Sequence, residues 1–186
     1  YFRSEPEPEF ALVPDASFPV VNGEKGIVNL EIRIEVSSAG QADGGAGYFL
    51  SSARAGERAN IVPALAQLRL RGDDTCDKAQ IEREVERFAK ANPHARAEVA
   101  QGAEGSHDVG VTFRGKTSHG SRPEKGHNAA LDMLLFMTQS AYVSDDEAET
   151  AEFLHKAAAD LTGTGRNLAE NDPRLGPTTV SLGIVE

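Results

Sequence analysis

RGKTSHGSRPEKGHNAA, residues 114–130, marks the place where one predicted type of secondary structure gives way to another. Just before it, Val109, Val111 and Phe113 alternate with small or polar residues, which is the two-residue period of a half-buried strand. Just after it, apolar residues recur at the spacing of an amphipathic helix. The stretch is therefore predicted to be a polar loop between a strand and a helix, with His119 near its middle.

Strand-like alternation recurs on both sides of this loop. The clearest case covers residues 28–36, where apolar residues alternate with polar ones along the whole run. Similar alternation covers residues 64–70 and 178–185, and residues 95–99 are expected to form a hairpin with residues 109–113. The sequence therefore predicts a sheet built largely from strands that are close in sequence.

Three helices are predicted from apolar stripes and capping residues. The first begins at a cap on Thr75 or Asp77, and the second covers residues 130–137. The third opens with a capping box formed by Ser144 and Glu147. Because strands and helices occur in mixed order, we expect an α+β fold in which helices pack on one face of an antiparallel sheet.

The connections between these elements are rich in glycine and polar residues. Residues 37–59 are predicted as a flexible loop around a short strand at residues 48–50, and residues 162–177 as a connector. Residues 1–26 hold four prolines and show no sustained period, so they are expected to be extended and irregular.

Composition limits the classes of function that the chain can serve. At 186 residues it is long enough to bury a hydrophobic core. Its net charge of −10 argues against a general nucleic-acid binder or a binder of anionic membranes, since both normally need a face rich in lysine and arginine. The single cysteine, Cys76, cannot form a disulfide within the chain.

His119 is the residue whose surroundings most favour chemistry. Gly115 and Gly120 allow tight backbone geometry around it, and Lys116 and Arg122 add positive charge. The loop also leads to a predicted helix N-terminus, whose dipole favours anions. An imidazole in this position could stabilise developing negative charge on an oxygen atom, or it could be an ordinary loop histidine; spacing leaves both open.

The other candidate residues carry weaker signals. Asp15 and Asn60 would pass as a turn residue and a strand-entry residue, and no HExxH, CxxC, GxSxG or P-loop pattern occurs. The remaining histidines are predicted to be surface residues without metal-ligand spacing: His94, His107, His127 and His155.

Several blocks of the sequence resemble the PepV-type dipeptidases, a branch of the aminoacylase and carboxypeptidase family of zinc peptidases. The matching blocks are residues 1–26, with VPDASFPVVNGEKG at positions 13–26, the ANIVP of residues 59–63, and the GKTSHGSRPEKGHNA of residues 115–129. A looser match covers residues 161–163 and the last predicted strand. The resemblance thus extends over nearly the whole chain.

The resemblance implies a division of roles among the candidate residues. Residues 1–26 would be an extended segment of a catalytic domain that holds two zinc ions, with Asp15 as a metal ligand. Residues 27–186 would be an inserted lid domain of the dimerisation type, built as one unit or as two similar subdomains. His119 would be catalytic, polarising the scissile carbonyl and stabilising the oxyanion, and Asn60 together with His119 would bind the substrate.

The family's remaining zinc ligands have no counterpart in this sequence. Its His-x-Asp motif, adjacent pair of acids and C-terminal histidine are missing, and they would lie before Tyr1 and after Glu186. Because a catalytic zinc ion needs about three protein ligands, we expect a lid-domain fragment that is inactive alone. The expected partners are a dipeptide substrate, the parent's catalytic domain and a second copy in a homodimer, without nucleic acid or membrane, in the cytoplasm. The alternative is a non-catalytic dimerisation or interaction module.

Overall fold

The central feature of the computed structural model is a four-stranded antiparallel sheet. Its strands are β1 (Phe49–Ala55), β2 (Leu65–Arg71), β3 (Arg96–Gln101) and β4 (Val109–Arg114), in the order β1-β2-β4-β3. The structure describes residues 23–36, 47–73, 75–102 and 106–186. The antiparallel sheet and the β3–β4 hairpin confirm the sequence prediction.

The two central strands show why the alternation of the sequence predicts this sheet. Ala66, Leu68 and Leu70 of β2 are fully buried, whereas the residues between them are exposed. Strand β4 follows the same pattern, with its buried residues on the same side of the sheet. One face of the sheet therefore forms the floor of the core, and on the other face the described residues of β2 and β4 are exposed or half-buried.

Three helices cover the buried face of the sheet, which confirms the predicted α+β class. They are α1 (Lys78–Ala91), α2 (Ala129–Met137) and α3 (Asp145–Ala159). Helix α1 packs beside β3, α2 lies over β2 and β4, and α3 packs against α2. Among the described residues, no helix combines the length and the apolar character needed to cross a membrane.

The helix caps and the aromatic core agree with the sequence pattern. The Asp77 side chain accepts from the N–H of Ala79 at the start of α1, and both halves of the capping box at Ser144 are formed. Phe88 of α1 and Phe136 of α2 meet edge-to-face with ring centroids 5.4 Å apart. Both rings also contact Phe113 of β4, so the three phenylalanines join the helices to the sheet.

The predicted strand at residues 28–36 is wrong for this structure. In the described part of the chain these residues pair with no strand. Val28 and Leu30 are 91% and 81% exposed. Alternation in a sequence shows that one face of the segment would be apolar if it formed a strand. A strand forms, however, only where a neighbouring strand supplies hydrogen bonds.

The prediction of a final strand at residues 178–185 is also wrong. Among the described residues, Val185 alone of this segment forms a strand-type pair, through one bridge with Ala55 at the end of β1. Conversely, β1 continues to Ala55, through a region that the sequence predicts to be mostly loop. The connector holds a two-residue strand pair, β5 (Asn171–Asp172) and β6 (Gly176–Pro177).

Candidate functional site

The loop that carries His119 is closed at its base by backbone pairing. The N–H of Lys116 donates to the carbonyl oxygen of His127, and the N–H of His127 donates back to Lys116, both over 2.8 Å. Two glycines allow this close approach. A Cβ on Gly115 would collide with the carbonyl of His127, and one on Gly126 would lie 2.7 Å from the carbonyl oxygen of Lys116. The closed base of the loop thus requires glycine at positions 115 and 126.

One side of the loop is fastened to the segment that precedes β2. Gly120 donates its N–H to the carbonyl oxygen of Asn60 over 2.7 Å, and Val62 donates to Ser118 over 2.9 Å. Ile61 and His119 form an isolated antiparallel bridge. The structure therefore brings Asn60 and His119, two residues singled out from the sequence, to adjacent positions on neighbouring chain segments.

The pairing reaches this site through a bulge. Leu65 pairs with Arg114 in the sheet, and Ile61 pairs with His119 beyond it. Between these two pairs the segment leading to His119 is one residue longer than its partner. An extra residue of this kind bends a strand and increases its twist, and such bulges are common beside functional sites.

The His119 side chain is exposed, and its contacts run through one ring nitrogen. Nδ1 lies 2.8 Å from Oγ of Ser121, and the backbone N–H of Ser121 donates to the same Nδ1 over 3.2 Å. The carbonyl oxygen of His119 accepts from the N–H of Arg122 over 2.8 Å. Within the described part of the chain, Nε2 has no hydrogen-bond partner. The tight turn at residues 119–122 thus holds the ring at Nδ1 and leaves Nε2 accessible.

The N-terminus of α2 does not provide the anion site that the sequence suggested. The N–H of Ala129 donates to Pro63, and that of Ala130 to the side chain of Asn128. Leu131 donates to the carbonyl oxygen of Asn128. Because these first amides already have partners, an anion would have to displace protein contacts to bind them.

His127 is not the plain surface residue that the sequence predicted. Its Nε2 lies 2.7 Å from Oδ2 of Asp132, whose side chain is 14% exposed. Burial raises the pKa of Asp132, although the hydrogen bond from His127 works in the opposite direction. Burial also lowers the pKa of His155 on α3, near the same carboxyl. The pair of His127 and Asp132 ties the end of the His119 loop to α2.

Two contact residues of this region were missed from the sequence. Ser121 follows His119 by two positions in a turn, and Asp132 follows His127 by five positions, about one helical turn inside α2. A serine close behind a loop histidine is a weak signal, because serine is common in turns for its own backbone hydrogen bonds. Only the ring orientation shows which contact forms.

The described residues hold no group of three or more histidine, cysteine, aspartate or glutamate side chains that could bind a metal ion. Asp15, the metal ligand implied by the family resemblance, lies outside the described residues. The part of the chain that the structure describes therefore does not fit a zinc site of its own.

Dipeptidases are among the curated proteins to which this chain is similar. It is 27% identical over 185 residues to the "Beta-Ala-Xaa dipeptidase" of Lactobacillus delbrueckii subsp. lactis, an alignment that covers 95% of this chain and 35% of the relative. It is 26% identical over 186 residues to a protein named "Putative dipeptidase" from Staphylococcus haemolyticus, covering 100% of this chain and 38% of the relative. A protein of the same name from Staphylococcus aureus is 26% identical over 188 residues, with the same coverage.

These relatives confirm the resemblance drawn from the sequence blocks. The chain matches no protein-family model. It spans 35% to 38% of the length of these three curated relatives. The part of each relative that aligns matches 95% to 100% of this chain. This chain is therefore similar to dipeptidases along essentially its whole length.

Proposed function

We propose that this chain forms the lid part of a dipeptidase and that His119 meets the substrate. The observation that carries the proposal is the placement of His119: its ring is exposed, and its backbone is paired beside Asn60 on a loop closed at its base. The similarity to dipeptidases over the whole chain supports the reaction class. The substrate would be a dipeptide.

The proposed role of His119 is to stabilise negative charge on the scissile carbonyl oxygen. Hydrolysis of an amide places a full charge on this oxygen in the tetrahedral intermediate, and a donor held at the right distance lowers the barrier. Removing one such donor from an enzyme typically lowers kcat by about 100- to 1,000-fold. Asn60, exposed and adjacent, would hold the substrate in place through its side-chain amide.

Zinc enters this proposal only through the family resemblance. The described residues offer no cluster for a metal ion, so the two zinc ions would be held by residues outside them, with Asp15 as the one ligand from this chain that the resemblance implies. Bound zinc would supply an activated water to such a site. The residues of this chain would bind the substrate, orient its carbonyl group and provide the hydrogen bond.

The test is the substitution His119→Ala in a dipeptidase that contains this chain. We expect kcat on a dipeptide to fall by about 100-fold or more, with metal content unchanged by elemental analysis. His107→Ala is the matched control, since His107 is exposed in the β3–β4 hairpin. Unchanged turnover in His119→Ala would contradict the proposal. The 186-residue chain alone is expected to show no hydrolysis.

The second candidate function is a dimerisation module, and the exposed edge of the sheet favours it. Strand β3 is the last strand in the order β1-β2-β4-β3, so one side of its backbone faces no other strand of this sheet. Edge strands of this kind can pair with a second copy of the same strand. Sedimentation of the chain, with and without Ala97→Pro, tests this second candidate, because the N–H of Ala97 points away from β4. Two copies that associate through this edge should separate in Ala97→Pro.

A further inference from the structure

The turn that follows His119 decides which of its two ring nitrogens carries the proton. The backbone N–H of Ser121 donates to Nδ1 of His119 over 3.2 Å. A backbone amide can only donate, so Nδ1 must present a lone pair to it. A neutral imidazole whose Nδ1 is an acceptor carries its proton on Nε2.

The hydroxyl of Ser121 strengthens the same arrangement. Its Oγ lies 2.8 Å from Nδ1, a distance suited to a hydrogen bond. A hydroxyl can donate or accept, so this contact alone is compatible with either tautomer. Only the Nε2–H tautomer satisfies the hydroxyl and the backbone amide of Ser121 together.

We infer that Ser121 is a positioning residue, which holds His119 as the Nε2–H tautomer with its free N–H directed away from the turn. The catalytic role of Ser121 rests on the proposed function, whereas its hydrogen bonds to the His119 ring do not. It makes His119 a hydrogen-bond donor and not a general base, because in the neutral ring the accessible nitrogen has no lone pair in the ring plane to accept a proton. The matching group on a substrate is therefore an acceptor, such as a carbonyl oxygen or an oxyanion.

The tautomer can be measured in this chain without substrate or metal. In the ¹⁵N-labelled protein at a pH of about 8.5, where an ordinary histidine is neutral, long-range ¹H–¹⁵N correlation distinguishes a protonated ring nitrogen from an unprotonated one. His119→Gln assigns the signals. We expect His119 to show a protonated Nε2 and an unprotonated Nδ1, with a higher fraction of this tautomer than the exposed His107.

Three serine variants separate positioning from a general effect on the loop. Ser121→Ala keeps the backbone N–H that donates to Nδ1, so His119 should stay mainly the Nε2–H tautomer, but its ring should move more once the hydroxyl contact is lost. Ser121→Thr, which keeps a hydroxyl, should preserve both the tautomer and the ring motion. Ser118→Ala is the matched control in the same loop, because Ser118 Oγ is buried without a hydrogen-bond partner in the described structure. A predominantly Nδ1–H ring, or identical spectra of the His119 ring in Ser121→Ala and Ser118→Ala, would overturn the inference.

Kinetics in a dipeptidase containing this chain give an independent readout. Ser121→Ala should lower kcat by roughly 2- to 10-fold with KM unchanged, which is the effect expected from one hydrogen bond acting in the transition state. Ser121→Thr and Ser118→Ala should remain near the parent rate. If the spectra change as expected but neither Ser121→Ala nor His119→Ala affects turnover, the proposed function fails while the tautomer assignment stands.

Discussion

Gly126 lies so close to Ser118 that a Cβ on the glycine would be 2.6 Å from the serine Oγ. The same Cβ would be 2.7 Å from the carbonyl oxygen of Lys116, which accepts one of the two hydrogen bonds that close the His119 loop. Backbone cannot move aside as a flexible side chain can. The closure of the loop therefore depends on the absence of a side chain at position 126.

This relationship predicts that Gly126→Ala opens the base of the loop. We expect a loss of about 1–3 kcal/mol in the free energy of unfolding, the usual cost of forcing extra atoms into a tightly packed site. Gly110→Ala is the matched control: its Cβ would have its nearest neighbour at 3.9 Å, and alanine is better than glycine in a strand. Urea unfolding gives both values. Equal stability of the two variants would contradict the steric argument.

A buried acid on α1 predicts a pH-dependent stability. Glu84 is 8% exposed, and burial raises its pKa, although the neighbouring Ser140 and Ala141 work in the opposite direction. The stability that this group contributes is therefore fully present below a pH of about 4.3, the ordinary pKa of glutamate, and is lost as the pH rises through the folded-state pKa. Glu84→Gln should be more stable than the parent at pH 7, by roughly 1 kcal/mol.

The advantage of Glu84→Gln should disappear as the pH approaches 4, because the parent carboxyl is then protonated. Glu86→Gln on the exposed side of the same helix is the matched control and should follow the parent at every pH. Thermal unfolding between pH 4 and pH 7 measures the difference. A constant gap between Glu84→Gln and the parent would contradict a raised pKa.

His155 predicts a pH effect of the opposite sign. Burial lowers its pKa, while the nearby Asp132 partly offsets this effect. Between the lowered pKa and the ordinary value of about 6.5, the unfolded chain binds more protons, so stability is lost as the pH falls through that range. His155→Gln should flatten the decline in melting temperature on acidification from pH 7.5. His107→Gln, at an exposed site, should leave the decline unchanged.

The sequence predicts strands correctly where an alternating run also has neighbouring strands to pair with. The alternation at residues 109–113 became β4 because β2 and β3 pair with it on both sides. The cap at Ser144, and Asp77 as one of two candidates for the cap of α1, follow from the sequence because the side chain and the amide it binds are at most three residues apart. For a helix cap, where a side chain binds a backbone amide at a fixed offset, the spacing is enough to identify the pair.

The sequence predicts the candidate site less completely. Glycines at positions 115 and 120 indicated a tight loop around His119, and the loop is tight. The contact of Ser121 with Nδ1, however, depends on the rotamer of the imidazole, and the pair of His127 with Asp132 depends on where α2 begins. Neither the rotamer of the imidazole nor the first residue of α2 follows from a pattern of residue types. Only the folded backbone distinguishes a helix N-terminus that is available to an anion from one whose amides are occupied.

The exposed segment at residues 28–36 gives the last prediction. Val28 and Leu30 are 91% and 81% exposed, so they contribute little to the core despite their alternating pattern. The double variant Val28→Ala with Leu30→Ala should change the free energy of unfolding by no more than about 0.5 kcal/mol per site. Leu68→Ala is the control, since Leu68 is fully buried in β2 and its truncation should cost about 2–5 kcal/mol. If urea unfolding of the double variant shows a loss close to that of Leu68→Ala, the segment packs against the protein in solution and its alternation marks a true strand.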